Sequence, residues 1–242
     1  MSESLIVTRR RWIADEISGD RAALIGPHAD HLIRVLRAQV GQEFDIAASD
    51  VVRRGRILSV SDSRVEFELG EVVPTAPLPQ ITLLLAIFKF DRMEWAIEKC
   101  TELGVSRIVP VIARRTDAHL AAAAAQRSER WQRLTRQAAE QSRRAGPPDL
   151  SPPIKIKEAV QIQAGIRILL AEHEHQVSLT DALASHVSGH TVALAIGPEG
   201  GWTDNEVHAF SAAGWIPATL GHTILRAETA AIAALAIAQS AL

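Results

Sequence analysis

Residues 64–69 read Arg64-Val65-Glu66-Phe67-Glu68-Leu69, a strict alternation of polar and apolar side chains. Successive side chains of a strand point to opposite faces, so this segment predicts a half-buried β-strand. Nearby short runs have the same character: Ser4-Leu5-Ile6-Val7, Glu43-Phe44-Asp45-Ile46, Val51-Val52 and Gly55-Arg56-Ile57-Leu58-Ser59-Val60. Together they predict a small β-barrel. One helix interrupts it over 28–37, where Leu32, Val35 and Leu36 recur at helical spacing. Pro74, Pro77 and Pro79 then mark a stiff linker, because proline removes backbone donors and fixes φ.

Beyond the linker the pattern changes. Ile81-Thr82-Leu83-Leu84-Leu85-Ala86-Ile87 is almost continuously apolar, as expected of a strand covered on both faces. Asp91 followed by Glu94 reads as a helix start with Asp as the cap. Met93, Ile97, Cys100 and Leu103 form the buried stripe of that helix, and Gly104 is a natural stop. Strands are predicted over 108–112, 166–170, 191–196 and near Ala218. Helices are predicted over 127–142, from Thr203, and through the Ala-rich end of the chain. Alternating strands and helices predict a mostly parallel sheet.

Two junctions carry candidate chemistry. The strand Thr191-Val192-Ala193-Leu194-Ala195-Ile196 runs directly into Gly197-Pro198-Glu199-Gly200-Gly201-Trp202. Thr203 and Glu206 have capping-box spacing, so a helix follows at once. Glycine lets a ligand approach bare backbone, and ligands of α/β sheets sit beyond the carboxyl ends of strands. The same residues also suit a plain strand–turn–helix joint. The second junction, over 218–231, repeats the logic: a short strand ends at Gly221, a loop follows, and the final helix begins.

Composition narrows the class. The 242 residues are 47% hydrophobic and 22% charged, with a formal net charge of −2, which describes a globular protein and not a uniformly basic one. Charge is nevertheless uneven: eight arginines face three acids between residues 114 and 144. Such a band suits either phosphate contact or a solvated helix face. The single cysteine, Cys100, rules out an internal disulfide and fits a reducing compartment. No signal-peptide pattern and no membrane-length apolar run are present, so a cytoplasmic location is expected. Glu172-His173-Glu174-His175 brings acids and histidines together without HExxH spacing, and a solvated loop with no metal is the expected reading. Neither a GxxxxGK phosphate loop nor a GxGxxG fingerprint occurs.

The two glycine junctions together resemble the closing part of the SPOUT RNA methyltransferases, and within them the family that methylates N3 of a uridine in 16S ribosomal RNA of the small subunit. The family pattern, GPEGG and then LG-x-x-ILR-x-ET-A, is matched at Gly197, Pro198, Glu199, Gly200, Gly201, Leu220, Gly221, Ile224, Leu225, Arg226, Glu228, Thr229 and Ala230. Further matches are His31-Leu32, the 34–37 block, Lys89, residues 91–94, Lys99, residues 101–104, 138–142 and Arg144. Phe90, Arg143 and the His222-Thr223 pair depart from the family's usual residues.

The resemblance implies an α/β trefoil-knotted methyltransferase domain over 81–242, a linker over 74–80 and a PUA-like barrel over 1–73. The knot rests on the resemblance alone. It also implies S-adenosylmethionine as cofactor, held by three loops through Leu170 and Glu172, through Ile196, Gly197, Gly200 and Gly201, and through Leu220, Gly221, Ile224 and Leu225. Arg226 is the candidate catalytic cation, with Glu228 or Glu199 as a supporting carboxylate. Glu228 is equally explained by the preference of a helix's first turn for acids. Arg9, Arg10 and Arg11, with Arg114, Arg115, Arg143 and Arg144, are the candidate contacts to ribosomal RNA or the small subunit. A homodimer is expected, with the final helix as a packing surface and no membrane partner. Two rival readings are a non-catalytic RNA-binding protein and a metal-dependent hydrolase using His173 and His175.

Overall fold

The computed structural model describes residues 11–48, 51–75, 77–172, 174, 176–184 and 191–242. The expected strand at Ser4–Val7, the candidates Arg9 and Arg10, and the histidines His173 and His175 lie outside the described residues. Two compact units are present: Met1–Pro77 with Ala139–Pro147, and Leu78–Ala138 with Pro148–Leu242.

In the first unit, strands β1 (Arg11–Ile13), β2 (Glu16–Ser18) and β3 (Arg21–Ile25) precede a short helix α1 (Pro27–Asp30). Strands β4 (Glu43–Ala48), β5 (Val51–Ser61) and β6 (Arg64–Val72) follow. The sheet order is β1-β4-β5-β6-β3-β2, with β1 parallel to β4 and the other pairs antiparallel. The two outermost strands are consecutive in the chain, joined through Ala14 and Asp15, so the sheet curls round on itself. Val65, Phe67 and Leu69 of β6 point inward as their alternation predicted, and Leu24, Leu32, Ile46 and Ile57 complete the core. Gly55 is required by close packing, since a Cβ there would lie 2.3 Å from Ile46 Cγ1. The helix expected over 28–37 is shorter: α1 passes into a wider π-type turn at His31–Val35 and stops at Arg37, whose φ is 51°.

The second unit opens with β7 (Ile81–Ala86), α2 (Phe90–Glu102), β8 (Arg107–Ile112), α3 (Ala118–Ala123) and α4 (Ser128–Gln141). It continues through β9 (Asp149–Leu150), β10 (Ile154–Lys155), α5 (Ile156–Ala159), β11 (Ile166–Leu170) and α6 (Leu179–Ala184). Strand β12 (Val192–Ile196), α7 (Asp204–Ala212), β13 (Ile216–Ala218) and α8 (Ala227–Ala241) complete it. Every strand pair is parallel, in the order β10-β8-β7-β12-β11-β13, with β9 also on β8.

Both faces of this sheet are covered, which explains the apolar runs. Leu83, Leu85, Ile168 and Leu194 pack with α2, α6 and α8, while Leu84, Val109, Leu169 and Ala195 pack with Trp202, Phe210 and Trp215. Cys100 lies in the first of these cores. Burial pushes its thiol up to about 12, so it is a small apolar side chain and not a nucleophile.

One predicted helix start is corrected. Lys89, not Asp91, is the N-cap of α2, and no side chain caps it. Glu94 is drawn away by α4 and the turn before it: Arg130 donates to its two oxygens at 2.6 and 2.7 Å, and Arg127, just ahead of α4, stands 3.6 Å from it. Arg127 also lies over the Phe90 ring at 4.6 Å. Part of the basic band is therefore neutralised within its own unit.

Candidate functional site

Parallel register brings three strand ends level. Leu169 is opposite Ala195, Leu170 is opposite Ala218, and Ile196 is opposite Leu85 of β7. The loops leaving β11, β12 and β13 therefore open on one edge of the sheet and enclose a cleft of about 850 Å³. Leu170, Glu172, Ile196, Gly197, Gly201, Leu220, Gly221, Ile224 and Leu225 all line it, as do Glu199 and Arg226. Of the candidate cofactor residues, Gly200 is not on the lining; a Cβ there would meet Arg115 Cδ at 3.3 Å.

The turn after β12 is built by its own chemistry. Gly201 has φ +68°, a left-handed conformation that side chains resist, and its N–H donates to Pro198 O at 2.8 Å. The predicted capping box is present: Thr203 N–H and Oγ1 both donate to Glu206 Oε2 at 2.8 Å, and Thr203 Oγ1 accepts from Glu206 N–H. Glu206 is buried, and its other oxygen accepts the Arg114 N–H at 2.7 Å, which ties the loop after β8 to α7. Arg115 donates to Gly200 O and to Trp202 O, and it too lines the cleft. This candidate RNA contact thus braces the glycine turn. Trp202, given no role from sequence, donates its indole N–H to Leu170 O at 3.1 Å and so pins the end of β11 to the turn after β12. Its ring packs on Phe210, which meets Trp215 edge-on.

The third loop is shaped differently. Thr219 pairs with the 177–179 segment, donating to Val177 O and accepting from Leu179 N–H, both at 2.9 Å. Its hydroxyl closes a tight turn with Gly221, whose φ is +124°. Among the described residues, the backbone groups of His222, Thr223, Ile224 and Leu225 form no hydrogen bond. They are available on the cleft wall to the donors and acceptors of a heteroaromatic ring.

Charged groups surround the mouth. Lys89 and Arg92, from the start of α2, join Arg115 and Arg226 on the lining, opposite Glu172 and Glu199. Arg226 is the N-cap of α8 and is exposed; among the described residues its guanidinium has no hydrogen-bond or ion-pair partner. Glu228 is not on the lining. It is 5% exposed and pairs with Arg92 Nη1 at 3.1 Å. Lys89 and Arg92 were quoted from sequence without a role; cations just past an apolar strand were the available signal.

The remaining arginines lie apart from the cleft lining. Arg11 donates to Arg143 O, within the first unit. Arg143 is exposed with φ 58°, the reason glycine suits that position. Arg144 is partly buried, and that burial lowers its pKa. Among the described residues no cluster of histidine, cysteine and acidic groups could hold a metal ion, and no helix is long and apolar enough to cross a membrane.

Comparison with known proteins agrees with this geometry. The RNA methyltransferase domain family matches residues 74–239. Ribosomal RNA small subunit methyltransferase E of Synechocystis is 34% identical over 241 residues, covering 97% of this chain and 78% of the relative. The Bacillus subtilis protein of that name is 29% identical, covering 88% of this chain and 87% of the relative. Among solved structures, ribosomal RNA small subunit methyltransferase E from Neisseria gonorrhoeae, bound to S-adenosyl methionine, superposes with a TM-score of 0.84 at 31% identity, over 96% of this chain and 97% of its own. A Legionella pneumophila methyltransferase in complex with the same cofactor gives 0.81 at 28% identity, over 96% and 97%. With a glycine-walled cleft at the ends of three parallel strands and relatives aligned along nearly its whole length, the chain belongs to the ribosomal RNA small subunit methyltransferase E family.

Proposed function

We propose that this chain transfers a methyl group from S-adenosylmethionine to N3 of an unpaired uridine in 16S ribosomal RNA of the small subunit. The observation that carries the reading is the cleft wall of left-handed glycines and unbonded backbone over 222–225. Such a wall suits an adenine, which needs backbone donors and acceptors in a largely apolar pocket more than it needs charged side chains. Leu170, Ile196, Gly197, Gly201, Leu220, Gly221, Ile224 and Leu225 hold it, with Glu172 and Gly200 shaping the turn. When bound, S-adenosylmethionine supplies an electrophilic methyl on a sulfonium.

The chain's own groups prepare the nucleophile. Uridine N3 carries a proton and attacks poorly until that proton leaves. Glu199, exposed on the cleft, accepts it, and Arg226 faces the negative charge that grows on the ring. N3 lies on the Watson–Crick edge, so the base is splayed out of any helix before it enters. Arg226→Ala is expected to lower kcat by on the order of 100-fold while the cofactor Kd stays within about twofold. Parallel loss of cofactor affinity, read by calorimetry, would make Arg226 a binding residue instead.

The curled sheet of the first unit is read as a PUA-like RNA-docking domain over 1–73, with Arg11 of β1 as a phosphate contact; Arg9 and Arg10 lie outside the described residues. Arg143 and Arg144 of the first unit and, separately, Arg114 of the second are read as further phosphate contacts. Arg143→Gly relieves a left-handed side chain and removes one cation at once. We expect unchanged or slightly raised thermal stability and a slope of log K against log salt that is shallower by about 1. An unchanged slope would take Arg143 off the RNA.

The trefoil crossing of the last segment is read from family membership, and the location is read as cytoplasmic. The working form is read as a homodimer that packs through α8. Sedimentation of a single 26.2 kDa chain at micromolar concentration would contradict the dimer.

A further inference from the structure

Helix stability accounts for Glu228, an acid in the first turn of α8, but not for its partner Arg92. Arg92 is the third residue of α2, where a cation opposes the helix dipole. It is held there by Glu228, the second residue of α8, through one bond of 3.1 Å. The Glu228 side chain is 7% exposed, and its Oε2 is buried with no partner among the described residues. A carboxylate in that state depends on its single cation, because removing the partner would leave an uncompensated buried charge.

Arg92 is different. Its side chain is one-third exposed, it lines the cleft, and among the described residues only Nη1 is bonded. A planar fork fixed at one nitrogen directs the remaining donors. Arg226, also on the lining, has no such anchor among the described residues.

We infer that Arg92, oriented by Glu228, is the fixed cation that stabilises negative charge on the methyl-accepting base, and that Glu228 is a positioning residue acting through it. Donors already aimed at developing charge need no rearrangement during the reaction, which is where electrostatic catalysis is strongest. Arg226, without such an anchor among the described residues, supplies another cation on the same lining. The inference rests on the methyl-transfer reading of the cleft and adds a second, pre-oriented cation to it.

The test uses the full chain with S-adenosylmethionine and unmodified small-subunit rRNA, comparing wild type, Arg92→Lys, Glu228→Gln and the double variant. Lysine keeps the charge but cannot both pair with Glu228 and reach the base. Arg92→Lys is expected to lower kcat by on the order of 30-fold or more, and Glu228→Gln by about 10-fold, with the cofactor Kd within twofold of wild type in both. The double variant is expected to be no worse than Arg92→Lys, because the two residues act as one unit.

A kcat within twofold of wild type for Arg92→Lys, multiplicative losses in the double variant, or a cofactor Kd that rises in step with the lost rate would each overturn the inference. If Glu228→Gln does not fold, Arg92→Lys, which retains both charges, decides alone. A wild-type chain that binds the cofactor but transfers no methyl group to the rRNA would overturn the methyl-transfer reading and this inference with it. An active wild type with an equally active Arg92→Lys variant would overturn only the inference.

Discussion

Gly201→Val is expected to weaken S-adenosylmethionine binding at least about 100-fold in calorimetry, roughly 2.7 kcal/mol. Two effects add. The φ of +68° at Gly201 is a conformation that costs an ordinary side chain about 1–2 kcal/mol, and a β-branched one more. Gly201 also lines the cleft, where a Cβ would already touch the Glu172 carboxylate, 3.4 Å from Oε2, so the added valine bulk is expected to take up cleft space. Gly200→Ala is the matched control. Its Cβ would meet only the flexible Arg115 side chain, at 3.3 Å, on a backbone that is not left-handed. That variant is expected to bind within about threefold of wild type. Equal losses in the two variants would mean that the turn fails as a whole and that Gly201 does not shape the cofactor wall.

Trp202→Ala is expected to remove about 3–5 kcal/mol of stability in urea unfolding, the usual consequence of emptying a large aromatic site. Trp202 is 5% exposed, packs on Phe210 at 5.3 Å and donates to Leu170 O. Trp202→Phe keeps most of the ring and loses the hydrogen bond, so about 1–3 kcal/mol is expected from the unpaired Leu170 carbonyl. Both variants should loosen the end of β11 and weaken cofactor binding. A loss below about 1 kcal/mol for the alanine variant would show that the ring does not tie the two loops together.

Legibility in the sequence followed the range of each interaction. The Thr203–Glu206 capping box was readable because both partners lie within one turn. The apolar runs of β7 and β12 were readable because a strand buried on both faces needs nothing else. The start of α2 was misread because Glu94 looks locally like a cap partner, while its actual partners, Arg130 of α4 and Arg127 just before it, are more than thirty residues away. Strands β2 and β3 went unread, since they are short and Arg21–Ile25 lacks clear alternation and has a single β-branched residue, Ile25.

At the site, the glycine turns announced the cleft, but the cations on its rim did not. Arg115 looked like one member of a basic band, and only the fold turns it onto the carbonyls of Gly200 and Trp202. The Arg92–Glu228 pair joins residues 136 apart, beyond the reach of any local pattern.

The central claim is methyl transfer to uridine N3 in small-subunit rRNA. Its most direct test uses small subunits from cells lacking this gene, incubated with the purified chain and methyl-labelled S-adenosylmethionine. The rRNA is then digested to nucleosides and the label located by chromatography and mass spectrometry. The account predicts a single labelled nucleoside that co-elutes with 3-methyluridine, and no label when Arg226→Ala replaces wild type over the same short interval. Label on any other nucleoside or atom, or no label from a wild-type chain that binds the cofactor, would contradict it.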